Sequence, residues 1–425
     1  MLQYSEFMDN KSLFEIIRRS CNCVDARLMD HGFRVAYIVS RFMRALNETD
    51  EVKIRDVCLL ALLHDIGAYK TEEISKMVQF ETQEVWDHSI YGYLFIKYFS
   101  PLTDLAEAVL YHHTSWEQLQ KVESVSDEIK NLAQMIFISD RIDIYMVEKG
   151  SSWEDCVKKI ARERGRRFDP SLVDLVTTYG FYETIEEAVS KDEKFQAIMW
   201  GKQLTQDEIT EYLKMMIYTI DFRSRHTVTH TMTTTSISYE IAKKMNLKED
   251  YLNKVVCGAL LHDVGKIGVP VEILEFPGKL SPQAMKIMRE HVNITEKIFG
   301  GVIEDTVQQI ALRHHEKMDG SGYPLGLEGK DLTVGQRIVA IADIVSALAG
   351  TRSYKEAYSK EHIEKIINNL KVDKKIDAGI ADVMIWNYDE IMDKTKERCQ
   401  PILDRYQSIQ EEYGNLMQWS KNSFK

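Results

Sequence analysis

The sequence predicts an all-α protein. Apolar residues recur at helical spacing through long stretches such as 40–64 and 283–315, with little of the alternation that marks β-strands. Only 7 of the 425 residues are proline, so few positions interrupt a helix. The composition is 44% apolar and 28% charged, which is typical of a globular protein, and the length allows two or three domains.

An internal repeat divides the chain. The stretch "ALLHDIGAYK" at 61–70 returns as "ALLHDVGKIG" at 259–268. Around these copies, histidines and aspartates follow one another at gaps of 33, 24, 24 and 27 residues in the first half, and of 32, 29, 23 and 28 in the second. The tails also agree, because "RRFDPSLVDLV" at 166–176 resembles "KKIDAGIADVM" at 374–384. A tandem duplication is therefore predicted, with two helical bundles of one type.

The repeated residues are imidazoles and carboxylates, which together suit Fe, Mn, Zn or similar ions. The first half carries His31, His64, Asp65, His88, His112, His113 and Asp140. The second half carries His230, His262, Asp263, His291, His314, His315 and Asp343. Each half thus offers a candidate metal site.

The second-half set predicts two ions that share one aspartate. We expect Asp263 to bridge them. His262 and Asp343 would complete one side, and the other would consist of His291, His314 and His315, the last two about 100° apart on a helix. Such a pair of ions supplies a hydroxide at neutral pH and stabilises both oxygens of an in-line phosphoryl displacement. Lys266, one helical turn after His262, is expected to face the phosphate.

Two motifs carry a family resemblance. "LLHDVGKIGVP" at 260–270, followed by "HHEKMDGSGYP" at 314–324, resembles the HD-GYP family, bacterial phosphodiesterases of the HD superfamily. The resemblance spans roughly residues 215–385. It implies a metal-dependent enzyme that opens a cyclic dinucleotide, either c-di-GMP or 3'3'-cGAMP, to a linear dinucleotide and then to mononucleotides.

The same resemblance points to substrate-binding residues. Gly320 and Gly322 permit positive φ and close approach of the backbone, so that Tyr323 can meet a base or a phosphate. Arg352 and Lys355, in "TRSYKEA", are implied to contact the substrate phosphates, because a guanidinium offers a bidentate fork.

Two positions depart from the family pattern. Ser346 stands where many members have a second aspartate, three residues after Asp343. His226 stands where members with three metals have a glutamate, and it shares a helical face with His230 at i, i+4 spacing. The resemblance therefore implies two or three divalent ions, with Fe or Mn first and Ni, Co or Zn as alternatives.

The first half keeps the ligand types but lacks two substrate features. Ala68 replaces the lysine, and "HHTSWEQLQ" at 112–120 replaces the glycine-rich loop, although Asp143 occupies the place of Ser346. Either this half still binds metal, or its histidines persist only as packing residues. In both cases we expect it to support, regulate or dimerise the second half.

Two other functions stay open. Ser346 is compatible with a receptor that binds a cyclic dinucleotide without cutting it. Alternatively, the protein is an HD phosphohydrolase of other nucleotides, with its active site in the first half.

The predicted domains are a degenerate HD domain at 1–200, an HD-GYP catalytic domain at 201–385 and a helical extension at 386–425. Thr205 and Glu208 are spaced like a helix capping box near the first boundary. The extension is expected to form two helices around Pro401, which either pack on the body or pair two chains in a homodimer.

Charge and composition limit the partners. A formal net charge of −12 argues against general nucleic-acid binding, so no DNA partner is expected. The amino terminus has early acidic residues and no long apolar core, which predicts neither a signal peptide nor a membrane anchor. The six cysteines show no zinc-type spacing and are expected to be free thiols in the cytoplasm.

Overall fold

The computed structural model describes residues 7–23, 30–68, 86–178, 185–201, 204–222, 229–276, 278–350 and 358–423. Throughout these ranges the regular structure is helical, and no β-strand occurs within them. The predicted all-α fold class is confirmed.

The chain forms two compact units. The first unit contains Val24–Met215 and Ile409–Lys425, and the second contains Met1–Cys23 and Met216–Ser408. These units differ from the predicted boundaries at both chain ends. The amino-terminal segment belongs to the second unit, and the extension predicted at 386–425 is divided between the two.

Helix α1 (Asn10–Asn22) accounts for the first difference. Its buried face, which includes Leu13 and Phe14, packs within the second unit. There the Arg19 guanidinium donates a hydrogen bond of 2.8 Å to the carbonyl oxygen of Phe299. Packing against this distant segment fixes the position of α1, and no local pattern reveals it.

The first unit is a bundle in which α2 packs against α3 and α7. Its helices are α2 (His31–Ala45), α3 (Glu51–Leu62), α4 (Trp86–Phe99), α5 (Ala106–Leu110), α6 (Trp116–Leu119), α7 (Asp127–Asp143), α8 (Trp153–Ala161), α9 (Pro170–Thr178), α10 (Ile185–Lys191) and α11 (Glu193–Trp200).

Helix α12 (Gln206–Asp221) follows, and the boundary between the units falls within it. The predicted capping box is present at its start. The Glu208 carboxylate accepts from the Thr205 amide at 2.8 Å, and the Thr205 hydroxyl accepts from the Glu208 amide at 3.2 Å.

The second unit repeats the bundle, with α13 packed against α14 and α18. Its core is aliphatic and includes Ile237, Val255, Ile338 and Val345, all fully buried. Its remaining helices are α13 (His230–Lys244), α14 (Glu249–Leu261), α15 (Val271–Leu274), α16 (Pro282–Phe299), α17 (Asp305–Leu312), α18 (Val334–Ala349), α19 (Lys360–Val372), α20 (Ala378–Trp386) and α21 (Tyr388–Ser423), of which the part from Ile409 belongs to the first unit.

The expectation of two helices around Pro401 is wrong. Helix α21 continues through Pro401, although the missing N–H removes one helical hydrogen bond. Buried contacts on both sides of the proline hold the helix. The Thr395 hydroxyl lies 2.9 Å from that of Ser236, and the side chain of Ile402 is buried.

Within the described ranges, no helix combines the length and the apolar character needed to cross a lipid bilayer.

Candidate metal centre

The predicted ligands of the second half stand at helix ends and on two helices that face them. His230 is the first residue of α13, the pair His262–Asp263 follows α14, His291 lies on α16, His314 and His315 follow α17, and Asp343 lies on α18. His314 and His315 are therefore in a turn, and the expected helical angle of 100° does not apply to them. Their rings lie 4.0 Å apart with a tilt of 47°.

Asp263 is the common neighbour of two groups of histidines. Its Oδ2 lies 3.2 Å from Nε2 of His230 and 3.1 Å from Nε2 of His262. Its Oδ1 lies 3.5 Å from Nε2 of His291 and 3.9 Å from Nε2 of His314. The two carboxylate oxygens therefore face opposite sides of the cluster.

Asp343 joins both groups from the opposite wall. Its Oδ1 lies 3.1 Å from Nε2 of His230 and 3.8 Å from Nε2 of His262, while its Oδ2 lies 3.7 Å from Nδ1 of His315. His230 thus lies beside His262 and Asp343. His226 itself lies outside the described residues.

Backbone carbonyls orient three of the rings. Nδ1 of each lies 2.6–2.7 Å from the carbonyl oxygen three residues earlier, in His262, His291 and His314. Because Nδ1 donates its proton there, Nε2 keeps its lone pair and points it at the cluster. The local fold therefore sets the tautomer that a metal ligand needs.

Ser346 does the same for His230. Its hydroxyl lies 3.0 Å from Nδ1 of His230 and donates to the carbonyl oxygen of that residue at 3.2 Å. The hydroxyl oxygen can accept the Nδ1 proton, which leaves Nε2 of His230 facing Asp263 and Asp343. A serine at this position thus orients a histidine of the candidate site.

The electrostatics differ between the two groups. Burial acts to lower the pKa of His262, but the Asp263 carboxylate outweighs burial and raises the pKa to about 10. Burial lowers the pKa of His315 to about 3. Without a metal ion, Nε2 of His262 therefore carries a proton at neutral pH, which a bound ion would replace, whereas His315 is the neutral imidazole that binds metals.

The donor atoms fit divalent ions. Nε2 of His262 and Oδ1 of Asp263 are buried, and no described residue forms a hydrogen bond with either atom. Buried polar atoms are normally paired, and a cation between them would satisfy both. Ligand atoms lie within 4.8 Å of one another in three sets: His291, His314 and His315; His230, His262 and Asp343; and His262, Asp263 and His314. Nitrogen and carboxylate donors of this kind suit Fe, Mn or Zn.

Lys266 lies beside the bridging carboxylate. It is in the 3₁₀ turn Val264–Gly268 and not on an α-helix, and its Nζ is 2.5 Å from Oδ2 of Asp263. Burial acts to lower the pKa of Lys266, but Asp263 and Asp343 outweigh it and raise the pKa. An ammonium group therefore stands at the cluster at neutral pH.

The glycine-rich loop brings Tyr323 to the edge of the cluster. Gly320 has a φ of 75°, and a Cβ on Gly322 would lie 2.5 Å from Cα of Glu316. The loop can therefore turn and pass close to the segment after the histidine pair. The Tyr323 ring stacks on His315 with centroids 4.6 Å apart and planes 29° apart.

Two residues of this region were not predicted from the sequence. The buried Glu316 carboxylate accepts from the amides of Leu325 at 2.7 Å and Leu327 at 2.9 Å. The guanidinium carbon of Arg289 lies 4.8 Å from the centre of the Tyr323 ring. Each is within two residues of a ligand histidine, which was the only available sequence signal. The predicted substrate residues Arg352 and Lys355 lie outside the described residues.

Replacing Glu316 by Gln should loosen the loop. Leu325 and Leu327 donate to different oxygens of the Glu316 carboxylate, whereas a Gln side chain has one oxygen acceptor. The two amides would therefore no longer each have an oxygen to bond to. We expect their hydrogen exchange to become about tenfold faster, which corresponds to the loss of about one hydrogen bond. Exchange monitored by mass spectrometry measures this, with the exposed Glu290→Gln as control. Unchanged exchange over 319–328 would show that Glu316 does not hold the loop.

The first half builds a similar cluster around Asp65. Its Oδ2 lies 3.2 Å from Nε2 of His64 and 3.8 Å from Nε2 of His31. Its Oδ1 lies 3.6 Å from Nε2 of His112 and 3.9 Å from Nε2 of His88. His113 completes the set, with Nδ1 3.9 Å from Oδ2 of Asp140.

Comparisons with known proteins find an HD domain in each half. Family models described as HD domain match residues 28–145 and 214–380. The chain is 28% identical over 399 residues to 3'3'-cGAMP-specific phosphodiesterase 1 of Vibrio cholerae, an alignment that covers 89% of this chain and 91% of the relative. It is 35% identical over 168 residues to a cyclic di-GMP phosphodiesterase of Thermotoga maritima, which covers 39% of this chain and 46% of that protein.

A solved structure shares the fold. The crystal structure of a cyclic GMP-AMP specific phosphodiesterase of V. cholerae superposes with a TM-score of 0.58 at 18% identity, over 90% of this chain and 98% of that one. The two HD-domain matches and the "GYP" loop at 322–324 define the family. The chain belongs to the HD-GYP phosphodiesterases, with two HD domains in tandem.

Proposed function

We propose that the second half is a metal-dependent phosphodiesterase that hydrolyses a cyclic dinucleotide to a linear dinucleotide, and that 3'3'-cGAMP is its preferred substrate. The first half is its regulatory or structural partner. Cleavage of the linear product to mononucleotides is a further expected step.

One observation carries the proposal. Asp263 directs one oxygen at His230 and His262 and the other at His291 and His314, while the Lys266 ammonium stands 2.5 Å from the first of these oxygens. A carboxylate between two imidazole groups, with a fixed cation beside it, suits attack on a phosphodiester.

We propose two ions, Fe or Mn, one in each group. When bound, they supply a hydroxide at neutral pH and positive charge for the phosphodiester oxygens. A third ion at His226 stays a prediction. The protein fixes the tautomers of the ligand histidines through backbone carbonyls and Ser346. It also keeps Lys266 charged beside the reacting phosphate.

The edge of the cluster would hold the nucleotide. The stacked rings of His315 and Tyr323 offer an aromatic surface on which a base can stack. Arg289 stands above Tyr323 and presents a planar guanidinium suited to a phosphate or to the O6/N7 edge of guanine. Arg352 and Lys355 remain predicted phosphate contacts.

The preference for 3'3'-cGAMP is supported by how the relatives align. The V. cholerae enzyme named for 3'3'-cGAMP aligns across both halves, whereas the T. maritima enzyme named for cyclic di-GMP matches 39% of the chain. The experiment compares the two substrates with protein loaded with Mn or, under anaerobic conditions, with Fe. Linear product, measured by chromatography, should form faster from 3'3'-cGAMP. Faster cleavage of c-di-GMP would overturn the preference, and binding without product from either would favour a receptor.

Lys266→Met tests the site itself. The methionine keeps the length of the side chain but removes the charge that would stabilise the phosphate, so the turnover number should fall by about 10²–10³-fold. Metal content should stay unchanged, because Lys266 is not a ligand. Full activity in this variant would contradict the assignment. Hydrolysis that survives His262→Ala but is lost in His64→Ala would place the active site in the first half instead.

A further inference from the structure

Buried donor atoms surround Asp65 in the first half. Nε2 of His64, His88 and His112 and Oδ1 of Asp65 are all buried, and the described part of the chain gives none of them a hydrogen-bond partner. Nδ1 of His64 lies 2.7 Å from the Ala61 carbonyl oxygen, and Nδ1 of His112 lies 2.5 Å from that of Val109. The lone pairs therefore point at the aspartate, as in the second half. Histidines kept only for packing would not leave so many buried polar atoms unpaired around one carboxylate.

The ligand atoms also fall into two groups here. Those of Asp65, His88, His112 and His113 lie within 4.8 Å of one another, and so do those of His31, His64 and Asp140. The first group is the equivalent of the His291, His314 and His315 side of the second half. Both groups combine imidazole nitrogens with a carboxylate, the donor set that suits divalent transition metals.

In both halves, cationic side chains pair with carboxylates of the cluster. In the first half, Asp143 accepts from Arg34 Nε at 2.6 Å, and Asp140 accepts from Arg141 Nε at 2.8 Å. The third carboxylate, Asp65, contacts histidines. In the second half, Asp263 and Asp343 meet the single ammonium of Lys266. Divalent ions bound among these carboxylates would add positive charge, so that each centre would attract an anion.

An arginine stack borders this centre. The ring of His113 meets the edge of Phe137, with centroids 5.6 Å apart, and the Arg167 guanidinium carbon lies 5.0 Å from the centre of the Phe137 ring. The second half has the same order of groups in His315, Tyr323 and Arg289, but Tyr323 comes from the loop, whereas Phe137 comes from α7. Burial lowers the pKa of Arg167, and the positive charge of Arg141 lowers it further. By geometry, Arg167 stands beside the aromatic ring that contacts His113, as Arg289 stands beside the ring that contacts His315.

We propose that the first half is a second phosphoryl-binding centre, in which the two ligand groups around Asp65 hold divalent ions and Arg167 contacts the bound anion. This site is independent of the proposed function, because none of its residues belongs to the second half. It takes a small phosphoryl group, namely inorganic phosphate or a phosphomonoester.

The size limit follows from the segment that replaces the glycine-rich loop. Here the short helix α6 follows the histidine pair. The Trp116 amide donates to the Arg167 carbonyl oxygen at 2.9 Å, and the Glu117 amide donates to that of Arg166 at 3.0 Å. The segment is thus bonded to the chain next to Arg167, and it lacks the glycines of the loop that carries Tyr323 to His315.

Metal analysis tests the ion groups, with matched variants in the two halves. Full-length protein is loaded with Mn²⁺, desalted and measured by plasma mass spectrometry as wild type, Asp65→Asn, Asp263→Asn and the double variant. We expect each single variant to lose a different part of the metal and the double variant to lose nearly all of it. Metal content of Asp65→Asn equal to that of wild type would overturn the proposal. His88→Ala, checked by circular dichroism, replaces Asp65→Asn if that variant does not fold.

Phosphate titration tests Arg167. In the Asp263→Asn background the remaining Mn²⁺ is that of the first half, and its paramagnetic resonance spectrum is followed as inorganic phosphate is added. We expect saturable phosphate binding, weakened at least about tenfold by Arg167→Gln and less by Arg167→Lys, which keeps the charge. Arg164→Gln, a nearby exposed arginine paired with Asp174, is the control and should not change the affinity. Absence of phosphate binding, or equal affinity in Arg167→Gln, would overturn the proposal. The outcome does not depend on whether the second half cleaves a dinucleotide.

Discussion

Replacing Asp263 by Asn is expected to abolish hydrolysis of the cyclic dinucleotide and to empty the second-half metal centre. One carboxylate contacts His230 and His262 through Oδ2 and His291 and His314 through Oδ1, so both groups lose a shared anionic ligand at once. The amide is nearly the same size, but its nitrogen would direct protons at imidazole lone pairs or at the ammonium of Lys266. We expect the turnover number to fall by at least about 10³-fold.

The measurement combines turnover with metal content in the same preparation. Asp65→Asn is the matched control, because Asp65 has the same contacts in the first half, and it should leave dinucleotide hydrolysis largely intact. Loss of turnover in both variants would mean that the two centres act together. Full turnover in Asp263→Asn would contradict the assignment of the active site to the second half.

Gly265→Ala is expected to have the second large effect, and it acts through packing. A Cβ at this position would lie 1.9 Å from the carbonyl oxygen of His291 and 2.6 Å from the amide nitrogen of Thr295, so α16 must move away. The Gly265 amide also donates to the Thr295 hydroxyl at 2.9 Å, and the same displacement breaks this contact. We expect a loss of about 1–3 kcal/mol in the free energy of unfolding, together with loss of metal as His291 withdraws.

Thermal unfolding and metal analysis check this prediction. Gly67→Ala is the matched variant, since its Cβ would lie 2.0 Å from the carbonyl oxygen of His88, and its effect should be confined to the first-half metal. Gly414→Ala is the neutral control, because no atom lies within 4 Å of its added Cβ. A Gly265→Ala protein with normal stability and normal metal content would show that α16 can shift without cost to the site.

Repetition made much of this molecule predictable from its sequence. The spacing of the histidines predicted two sets of residues, each of which the structure brings together, and helical periodicity predicted the all-α class. Helical periodicity applies only within a helix, and His314 and His315 lie beyond the end of α17. The predicted angle of 100° between them was therefore wrong. Their relative position depends on the turn after α17 and on what packs against it. Pro401 was misjudged for a related reason, since buried contacts of α21 outweigh the missing hydrogen bond.

Contacts between distant segments were not predictable. Asp143 meets Arg34 across 109 residues of sequence, and no local pattern connects the two. Glu316 was visible as a glutamate next to the histidine pair, but its role depends on the loop folding back so that two amides reach one buried carboxylate. The contact of Ser346 with His230 is of the same kind, because its geometry requires α13 and α18 to pack side by side.

The hydrogen bonds from ring Nδ1 atoms to backbone carbonyls have a consequence for how the two halves diverged. Through these bonds, the helix end that carries a histidine sets the direction of its ring. His64 and His112 have the same contact as His262 and His314. Residues that meet a substrate, such as Tyr323, sit on a separate segment. After a duplication, one copy can therefore change the residues that face a substrate while the histidines and aspartates of its candidate metal site persist. Selection can thus give the copies different ligands without rebuilding either centre.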